Sequence, residues 1–425
     1  MKRFFPFLFN ILTSTICLSQ KVDVLHYDAV LIPEIAKKTI EGSVEITLLT
    51  NDQTAITLDI GDLEINDVTS ISLVDFEVSD NQLKIQIDKS SDTLKLKVEY
   101  KGAPRRGLLF NTEKDHVYTV YFTHFWMPCI KDPGDKATFD LDLILPKKYQ
   151  SVASGKLIGK TPTSGKIQHS WKQNYPTSSY TYGFAIGDFD FIEEVHRDIK
   201  LSYFAQGKSK KDLLQIFDET SMMIDFFEEK SGVAYDQASY SQLLIGNHYQ
   251  EMTGLSVLKE IYGDYVLKDS TETNLISHEL GHQWWGNRIT CESWNHFWLN
   301  EAMVTFLSAA YNEYRFGKEK YTKDINAYYE VYNKILKAGN DKPLVFPDWT
   351  NPSRDDRNIV YFKGAYVLHL LRLEVGEKFF WNGIKLYSQT YFDRSVETKD
   401  FQKAMEDASE RSLDEFFDTW VYGSK

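Results

Sequence analysis

The segment "SHELGHQWWGNRITCESWNHFWLNEAM", residues 277–303, carries a spacing that points to one local structure and one kind of chemistry. His278 and His282 are four positions apart, so on a helix they lie one turn apart on the same face. Two imidazoles placed in this way can each reach one metal ion at about 2.0 to 2.1 Å. Glu279 sits one position further round the helix, where its carboxylate can act on a water molecule without being a ligand. The pattern predicts a zinc-binding helix with Glu279 as the general base.

Glu301 supplies a third candidate ligand. It opens the next predicted helix, after 18 intervening residues that can turn the chain back on itself. Three protein ligands leave the fourth position of tetrahedral zinc open, which is the arrangement of catalytic sites. A His-Glu-x-x-His pattern also arises by chance, and a glutamate in a first helical turn is stabilised by the helix dipole. The combination nevertheless predicts one Zn²⁺ per chain, bound by His278, His282 and Glu301.

The periodicity of the apolar residues changes once along the chain. With 425 residues, of which 42% are apolar and 14% aromatic, the chain can form two hydrophobic cores. Up to about residue 200 apolar and polar residues alternate, as in "TLKLKVEY" (93–100) and "TFDLDLIL" (138–145), which is typical of half-buried antiparallel strands. From Ser209 onward the spacing is helical. The predicted helices are 209–232, 271–286, 301–315, 321–337, 357–374, 377–390, 398–407 and 412–421.

These patterns predict a multidomain α+β protein. An N-terminal antiparallel β domain would span residues 20–200, and a mainly helical domain would span residues 201–425. The formal charge of -13 is spread along the chain without a basic block, which argues against nucleic acid as a partner.

The first residues, "MKRFFPFLFNILTSTICLSQ", have a short basic start followed by an apolar stretch. We interpret residues 1–19 as a signal peptide cleaved before Gln20, which predicts export to the periplasm or the extracellular space without a transmembrane anchor. Cys17 as a lipid-bearing cysteine, or a retained anchor, is the alternative. After cleavage Cys129 and Cys291 remain, and one disulfide between them is compatible with an oxidising compartment.

Several segments in order along the chain carry a family resemblance. "HELGHQWWGNRIT" (278–290) followed by "WLNEA" (298–302) resembles the gluzincin metallopeptidases, and within them the aminopeptidase N family, M1. "MPCIKDPGDKATFDLDLILP" (127–146), "YTYGFAIGDF" (180–189) and "VYFKGAYVLHLLR" (360–372) are similar to further segments of that family. The resemblance covers residues 21–425 and implies a saddle-like β domain followed by a thermolysin-like catalytic domain.

The resemblance also implies functional roles. The chain would be a secreted zinc aminopeptidase acting on peptides, in which Glu279 takes a proton from the attacking water and passes it to the leaving amine. Tyr361 matches the tyrosine of a Y-x-K-G-A motif and would stabilise the oxyanion of the tetrahedral intermediate. Glu251 in "NHYQEMTGLSVL" (247–258) matches the glutamate of G-x-M-E-N and would pair with the free amino terminus of the substrate. Without the resemblance, Tyr361 would be a core aromatic residue and Glu251 a loop carboxylate.

This sequence departs from the family pattern beside Glu251. Tyr249 and Gln250 replace the glycine and methionine of that motif, which predicts a reshaped substrate-binding edge, and Met252 replaces its asparagine. A T-Q-x-E/Q element has no counterpart in "HVYTVYFTHFWMPC" (116–129). The sequence ends where the family's catalytic domain would end, so the resemblance implies a short two-domain form without a C-terminal helical domain. Its cleft would be more open unless a partner or a second copy covers it.

The altered motif leaves other functions open. A zinc endopeptidase or an epoxide hydrolase of the same fold would keep the hydrolytic chemistry and change the substrate. A catalytically silent peptide-binding module would keep the zinc for stability alone, although neither Glu279 nor Tyr361 is needed for that role.

Overall fold

The computed structural model describes residues 22–88, 92–346, 349 and 351–423. The predicted signal peptide, including Cys17, lies outside these residues. The described chain begins with strands and continues with a mainly helical region, so the predicted α+β organisation is confirmed.

The N-terminal domain is built from β-strands in three sheets. The strands are β1 (Asp23–Glu34), β2 (Thr39–Leu49), β3 (Ala55–Asp59), β4 (Glu64–Thr69), β5 (Leu73–Ser79), β6 (Gln82–Ile87), β7 (Thr93–Gly102), β8 (Leu108–Asn111), β9 (His116–Thr119), β10 (Lys136–Leu145), β11 (Gln150–Ala153), β12 (Lys156–Thr163), β13 (Lys166–Ser178) and β14 (Phe184–Gly187). A seven-stranded sheet has the order β12-β13-β10-β1-β2-β7-β4, and two smaller sheets have the orders β11-β14-β9-β8 and β3-β6-β5.

The predicted alternation is visible in the long strands. In β7 the side chains of Leu94, Leu96, Val98 and Tyr100 are buried while the residues between them are exposed. This strand pairs antiparallel with β2 and β4. β1 and β10 are parallel, however, so the large sheet is mixed rather than purely antiparallel. Sequence alternation gives the buried face of a strand but carries no information on the direction of its neighbour.

A five-stranded sheet joins the two parts of the molecule. It contains β15 (Asp190–His196), β16 (Ile199–Ala205), β17 (Ser239–Leu244), β18 (Gln250–Met252) and β19 (Leu255–Leu258), in the order β15-β16-β17-β19-β18. Leu243 packs into the N-terminal core, whereas the next residue, Leu244, packs against the helices. The sheet is therefore buried on both faces at β17, whereas the edge strand β15 is mostly exposed. The opposite edge strand, β18, is buried and carries Glu251.

The sheet membership also bears on the domain boundary. β14 belongs to an N-terminal sheet, but β15 and β16 already pair within the five-stranded sheet. The boundary near residue 200 stays a prediction, and the strand pairing leads us to propose 188–189 instead.

The helices follow the predicted pattern with local differences. They are α1 (Lys210–Ile216), α2 (Thr220–Ser231), α3 (Tyr262–Lys268), α4 (Asn274–Gly281), α5 (Trp298–Phe316), α6 (Lys318–Lys337), α7 (Arg354–Asn358), α8 (Gly364–Val375), α9 (Glu377–Tyr391), α10 (Thr398–Ser409) and α11 (Asp414–Trp420), with two short strands, β20 (Thr290–Cys291) and β21 (Ser395–Val396). A π-helical turn, Ile359–Lys363, links α7 to α8. The helix predicted over 209–232 is divided into α1 and α2, and α3 was not predicted. None of the helices in the described part of the chain is both long and apolar enough to cross a bilayer.

Lys136 connects the two domains. Its Nζ donates to the carbonyl oxygen of Arg288 at 2.7 Å and to that of Arg394 at 3.1 Å. Burial lowers the pKa of Lys136 to about 7, because the charged amine loses hydration at the domain junction. Cys129 and Cys291 are both buried and their thiols are free, so the disulfide between them is not formed in this structure.

The lowered pKa of Lys136 predicts a pH-dependent stability. Between about pH 7 and 10.5 the unfolded state holds the proton that the folded state has lost, so this residue favours folding more as pH rises through that range. We expect the stability of the wild type relative to Lys136→Met to increase by up to about 1.4 kcal/mol per pH unit between pH 7 and 9. Urea unfolding at three pH values measures the difference. Lys160→Met, which replaces an exposed lysine of the same domain, is the control. If the stability difference from the wild type changed with pH equally for both variants, the prediction would be contradicted.

Candidate metal centre

The two candidate histidines lie at the end of α4 and in the turn that follows it. α4 ends at Gly281, so His282 is the first residue of the turn and the helix predicted over 271–286 is shorter than expected. Gly286 has a φ of +130°, and a Cβ atom at this position would lie 2.6 Å from His282 Nδ1. Glycine is therefore required at position 286 both by the backbone conformation and by the space that the His282 ring occupies.

Two tryptophans anchor this turn. The indole nitrogen of Trp284 donates to the carbonyl oxygen of Val233 at 2.9 Å, and that of Trp285 donates to Ser388 Oγ at 3.0 Å. Both rings are almost completely buried. Their packing in the helical core holds the backbone of His282 in place.

The three predicted ligands converge on one point. His278 Nε2 lies 3.2 Å from His282 Nε2, and Glu301 Oε2 lies 3.3 Å and 3.5 Å from these two nitrogen atoms. Donors that each lie about 2.0 to 2.1 Å from a tetrahedral ion are about 3.3 Å apart. Glu301 Oε2 is buried and accepts no well-formed hydrogen bond from the residues that the structure describes. The donor set fits Zn²⁺.

The other nitrogen of each imidazole is held by the protein. His282 Nδ1 donates to the carbonyl oxygen of Trp285 at 2.9 Å, and His278 Nδ1 is 3.4 Å from Thr305 Oγ1. Thr305 in turn donates to the carbonyl oxygen of Glu301 at 2.7 Å, one turn earlier in α5. These contacts orient both Nε2 atoms towards the same point, which is the usual arrangement around metal-binding histidines.

A second group of side chains adjoins the first. Glu251, Glu279 and His282 offer atoms that all lie within 4.8 Å of one another, and all three residues are buried. The site thus combines three carboxylates with two imidazoles. Burial and the neighbouring carboxylates raise the pKa of Glu279 well above its usual value, although His282 opposes the effect. Burial also raises the pKa of Glu251. A divalent cation would balance this excess of negative charge.

Gln283 fixes the strand of Glu251 relative to the histidines. Its Oε1 accepts from the backbone N–H of Gly254 at 2.8 Å, and its Nε2 donates to the carbonyl oxygen of Met252 at 3.0 Å. Met252 itself is buried in the core of the N-terminal domain. Gln283 therefore links the turn that carries His282 to β18.

Tyr361 lies in the π-helical turn and stacks on His278. The two ring centroids are 5.9 Å apart and the planes differ by 11°. Burial, together with the charges of Glu301 and Glu251, raises the pKa of Tyr361, so its hydroxyl remains a proton donor at neutral pH. π-helical turns occur often at functional sites.

The residues after Tyr361 hold the turn in position. Lys363 and Asp341 form a fully buried ion pair with 2.9 Å between Nζ and Oδ1. A Cβ atom on Gly364 would lie 2.5 Å from Cβ of Ala302, the neighbour of Glu301, so glycine lets α8 approach α5 closely. The Lys-Gly pair of the motif therefore positions Tyr361 against the ligand-bearing helices.

The two remaining candidate residues have different surroundings. Gln250 is completely buried, and its Oε1 accepts from the backbone N–H of Tyr121 at 2.7 Å. Its Nε2 lies 3.5 Å from the carbonyl oxygen of Tyr180. Tyr249 is partly buried, and its ring packs edge-on against Tyr262. Gln250 thus binds the backbone of the N-terminal domain.

Comparison with known proteins agrees with this site. The sequence profile of the "Peptidase M1 N-terminal domain" matches residues 24–181, and that of the "Peptidase family M1 domain" matches residues 216–420. The second range contains His278, Glu279, His282, Glu301 and Tyr361. The chain belongs to peptidase family M1.

Curated members of family M1 that this chain resembles are longer. Glutamyl aminopeptidase of Homo sapiens is 26% identical over an alignment of 310 positions, which covers 69% of this chain and 32% of the relative. Aminopeptidase A of Gloydius brevicauda is 24% identical over an alignment of 451 positions, which covers 94% of this chain and 46% of the relative. The chain therefore spans between about a third and a half of the length of these relatives.

Solved M1 structures share the fold. The M1 zinc metallopeptidase from Deinococcus radiodurans superposes with a TM-score of 0.80 at 20% sequence identity, over 96% of this chain and 94% of that one. A mutant of that enzyme bound to a Tyr-Ser-Ala substrate gives a TM-score of 0.81 over 96% and 95%. The β domain followed by the helical domain, as predicted from the sequence, is thus the two-domain architecture of an M1 structure.

Metal binding should depend on pH. Burial alone would lower the pKa of His282, but Glu301, Glu251 and Glu279 overcome this effect and raise it to about 10 in the metal-free protein. A zinc ligand must be a neutral imidazole, so binding displaces this proton. We expect the apparent zinc affinity to rise about tenfold per pH unit between pH 6.5 and 8.5. Competition with a chelator of known pH dependence measures it, and an affinity independent of pH would contradict the prediction.

Proposed function

We propose that this chain is a zinc-dependent aminopeptidase that removes N-terminal residues from peptides. The observation that carries the proposal is that two groups of side chains share His282. One group, with His278 and Glu301, fits a zinc ion, and the other brings Glu279 and Glu251 beside it. A hydrolytic base and an amine-binding carboxylate would then lie on either side of one substrate-binding position.

Zinc, when bound by His278, His282 and Glu301, would polarise the scissile carbonyl and lower the pKa of water to about 7. Glu279 would accept the proton of the attacking water and then transfer it to the leaving nitrogen. The burial of Glu279 supports this role, because a dry carboxylate is a stronger base than a hydrated one.

Tyr361 and Glu251 would complete the site. The neutral hydroxyl of Tyr361 would donate a hydrogen bond to the oxyanion of the tetrahedral intermediate, a contribution of about 3 kcal/mol. The carboxylate of Glu251 would pair with the free amino terminus of the peptide, and a blocked amine would leave this carboxylate buried without a partner. We further propose that Gln250 positions β18 rather than contacting substrate, while Tyr249 borders the substrate-binding edge.

Glu251→Gln should weaken recognition of the free amine. We expect kcat/KM on free peptides to fall roughly 10- to 100-fold, because a charge-assisted hydrogen bond is replaced by a neutral one. Zinc content should not change, since the amide preserves the shape of the side chain. Glu260→Gln is the matched control, because Glu260 pairs with Lys114 at the surface. Equal rates for Glu251→Gln and the wild type would remove Glu251 from this role.

Mass spectrometry of one peptide mixture tests the proposal as a whole. The mixture is digested free and N-acetylated, with zinc-loaded and chelated protein in parallel. Stepwise loss of single residues from the free peptides alone is the expected result. Internal cuts in both mixtures would indicate an endopeptidase, and absence of cleavage despite one bound zinc per chain would indicate a peptide-binding module.

We also propose that the protein is exported, with peptides as its partners. The support is the sequence of residues 1–19, which has a basic start and an apolar stretch. Expression of the full sequence followed by N-terminal sequencing of the exported protein tests this. A mature terminus at Gln20 is expected, and an intact Met1 on a protein kept inside the cell would contradict export.

A further inference from the structure

Tyr121 of the N-terminal domain lies beside the candidate site, although no family motif marks it. Its backbone has a φ of +51°, a left-handed conformation that is uncommon for an aromatic residue. Two contacts with the strand of Glu251 hold it there. Its N–H donates to Gln250 Oε1 at 2.7 Å, and its hydroxyl donates to the carbonyl oxygen of Tyr249 at 2.5 Å.

The ring of Tyr121 lies edge-on to Phe122 and His248. The residue is 43% exposed even though both of its polar groups are engaged. Burial and the charges of Glu251, Glu279 and Glu301 raise the pKa of Tyr121, so the phenol lies within electrostatic reach of the whole carboxylate cluster. Tyr121 also contributes to the raised pKa of Tyr361. Tyr121 therefore places a partly exposed aromatic ring beside the strand that carries Glu251.

Arg357 lies in α7, close along the helix to Tyr361, whose ring stacks on His278. It precedes Tyr361 by four residues, across the junction of α7 and the π-helical turn, so the two side chains leave the helix on the same side. The positive charge of Arg357 also opposes the raised pKa of Tyr121. Arg357 is exposed, and within the described part of the chain its guanidinium forms no hydrogen bond or ion pair.

We propose that Arg357 binds a carboxylate of the substrate in the part of the cleft bordered by Tyr121 and Tyr361. This inference rests on the proposed function, since it assumes that a peptide occupies the site. The carboxylate would belong either to an acidic side chain at the first residue or to the C-terminus of a very short peptide. Both present the same planar, bidentate acceptor that a guanidinium matches.

The charge of the site explains why such a cation matters. Glu251 and Glu279 would repel an anionic substrate group that approached the amine-binding position. The guanidinium of Arg357 would offset this repulsion and add a charge-assisted hydrogen bond to the substrate carboxylate. Without it, the cleft would discriminate against acidic substrates.

Binding to an inactive enzyme tests the proposal without requiring turnover. Zinc-loaded Glu279→Gln protein is titrated by calorimetry with Glu-Ala amide, Gln-Ala and Gln-Ala amide. The first peptide has only a side-chain carboxylate, the second only a C-terminal one, and the third has neither. We expect one of the first two to bind roughly 10- to 100-fold more tightly than Gln-Ala amide. The peptide that shows the excess identifies the source of the carboxylate.

The same titrations are repeated after a second substitution. In Arg357→Gln the carboxylate-bearing peptide should bind no more tightly than Gln-Ala amide. Arg357→Lys should keep part of the difference in affinity because the positive charge remains. Arg411→Gln is the control, since it removes one positive charge from an exposed arginine between α10 and α11. Thermal unfolding verifies that each variant is folded. An unchanged excess in Arg357→Gln, or no excess for either carboxylate, would overturn the proposal.

The outcome is separable from that of the proposed function. Cleavage of peptides by the parent protein without any carboxylate preference would reject the role of Arg357 alone. A carboxylate preference that depends on Arg357, in a parent protein that cleaves no peptide, would reject the peptidase alone.

Discussion

Glu279→Gln is expected to lower kcat on free peptides by at least about 10³-fold while leaving zinc binding intact. General-base catalysis contributes about 10² to 10⁴ to a hydrolytic rate, and an amide cannot accept the proton. Glu279 is not one of the three converging ligands, whose donor atoms lie 3.2 to 3.5 Å apart. Initial rates with saturating peptide give kcat, and elemental analysis gives the zinc content.

Two measurements separate this effect from a general disturbance of α4. Glu272→Gln makes the same change just before α4, where Glu272 is half-buried and contacts Tyr262, and should leave kcat within about twofold of wild type. The affinity of Glu279→Gln for a free peptide should also persist, because Glu251 still receives the amine. A fall in zinc content parallel to the fall in kcat would show that Glu279 supports the metal rather than the proton transfer.

The convergence of the three candidate ligands was predictable because their geometry is mostly local. Helical spacing places His278 and His282 on one face, although His282 already lies in the turn that Trp284 and Trp285 anchor. Tertiary packing must also return Glu301 of α5 to that face. The alternation in β7 was predictable for the same reason, since a strand with one buried face repeats every two residues. In both cases residues close in the sequence determine which side chains share a surface.

The missed features depend on partners that are distant in sequence. Thr220 begins α2 and donates to Gln242 of the sheet at 2.7 Å, and this contact lies where the predicted helix over 209–232 is broken. Tyr121 reaches the site through contacts with residues 128 and 129 positions away. The sequence does show that Arg357 lies four residues before Tyr361. The direction in which that face of the helix points, however, is known only from the fold. Contacts of this kind are set by packing, which the periodicity of one segment does not encode.

Glu301 can be interpreted either as a residue that stabilises the start of α5 or as a metal ligand. It lies in the first turn of α5, where any glutamate would be stabilised by the helix dipole. Burial alone would raise its pKa, but His282 and His278 lower it to about 2, so it is a full anion facing both imidazoles. Its Oε2 lies 3.3 Å from His278 Nε2 and 3.5 Å from His282 Nε2, so the geometry supports the predicted role of Glu301 as a ligand.

Glu301→Gln should therefore reduce the zinc affinity by at least about 10²-fold, and activity at low zinc should fall with it. Loss of an outer contact to a metal ligand already costs about 10- to 100-fold, and loss of a charged ligand should cost more. Chelator competition measures the affinity, and added zinc should restore part of the activity. Glu319→Gln is the matched control. Glu319 is an exposed glutamate in the first turn of α6, so it interacts with a helix dipole as Glu301 does but lies outside the candidate metal centre. If both variants bound zinc as tightly as the wild type, the helix dipole alone would explain Glu301, and the centre would have only two protein ligands.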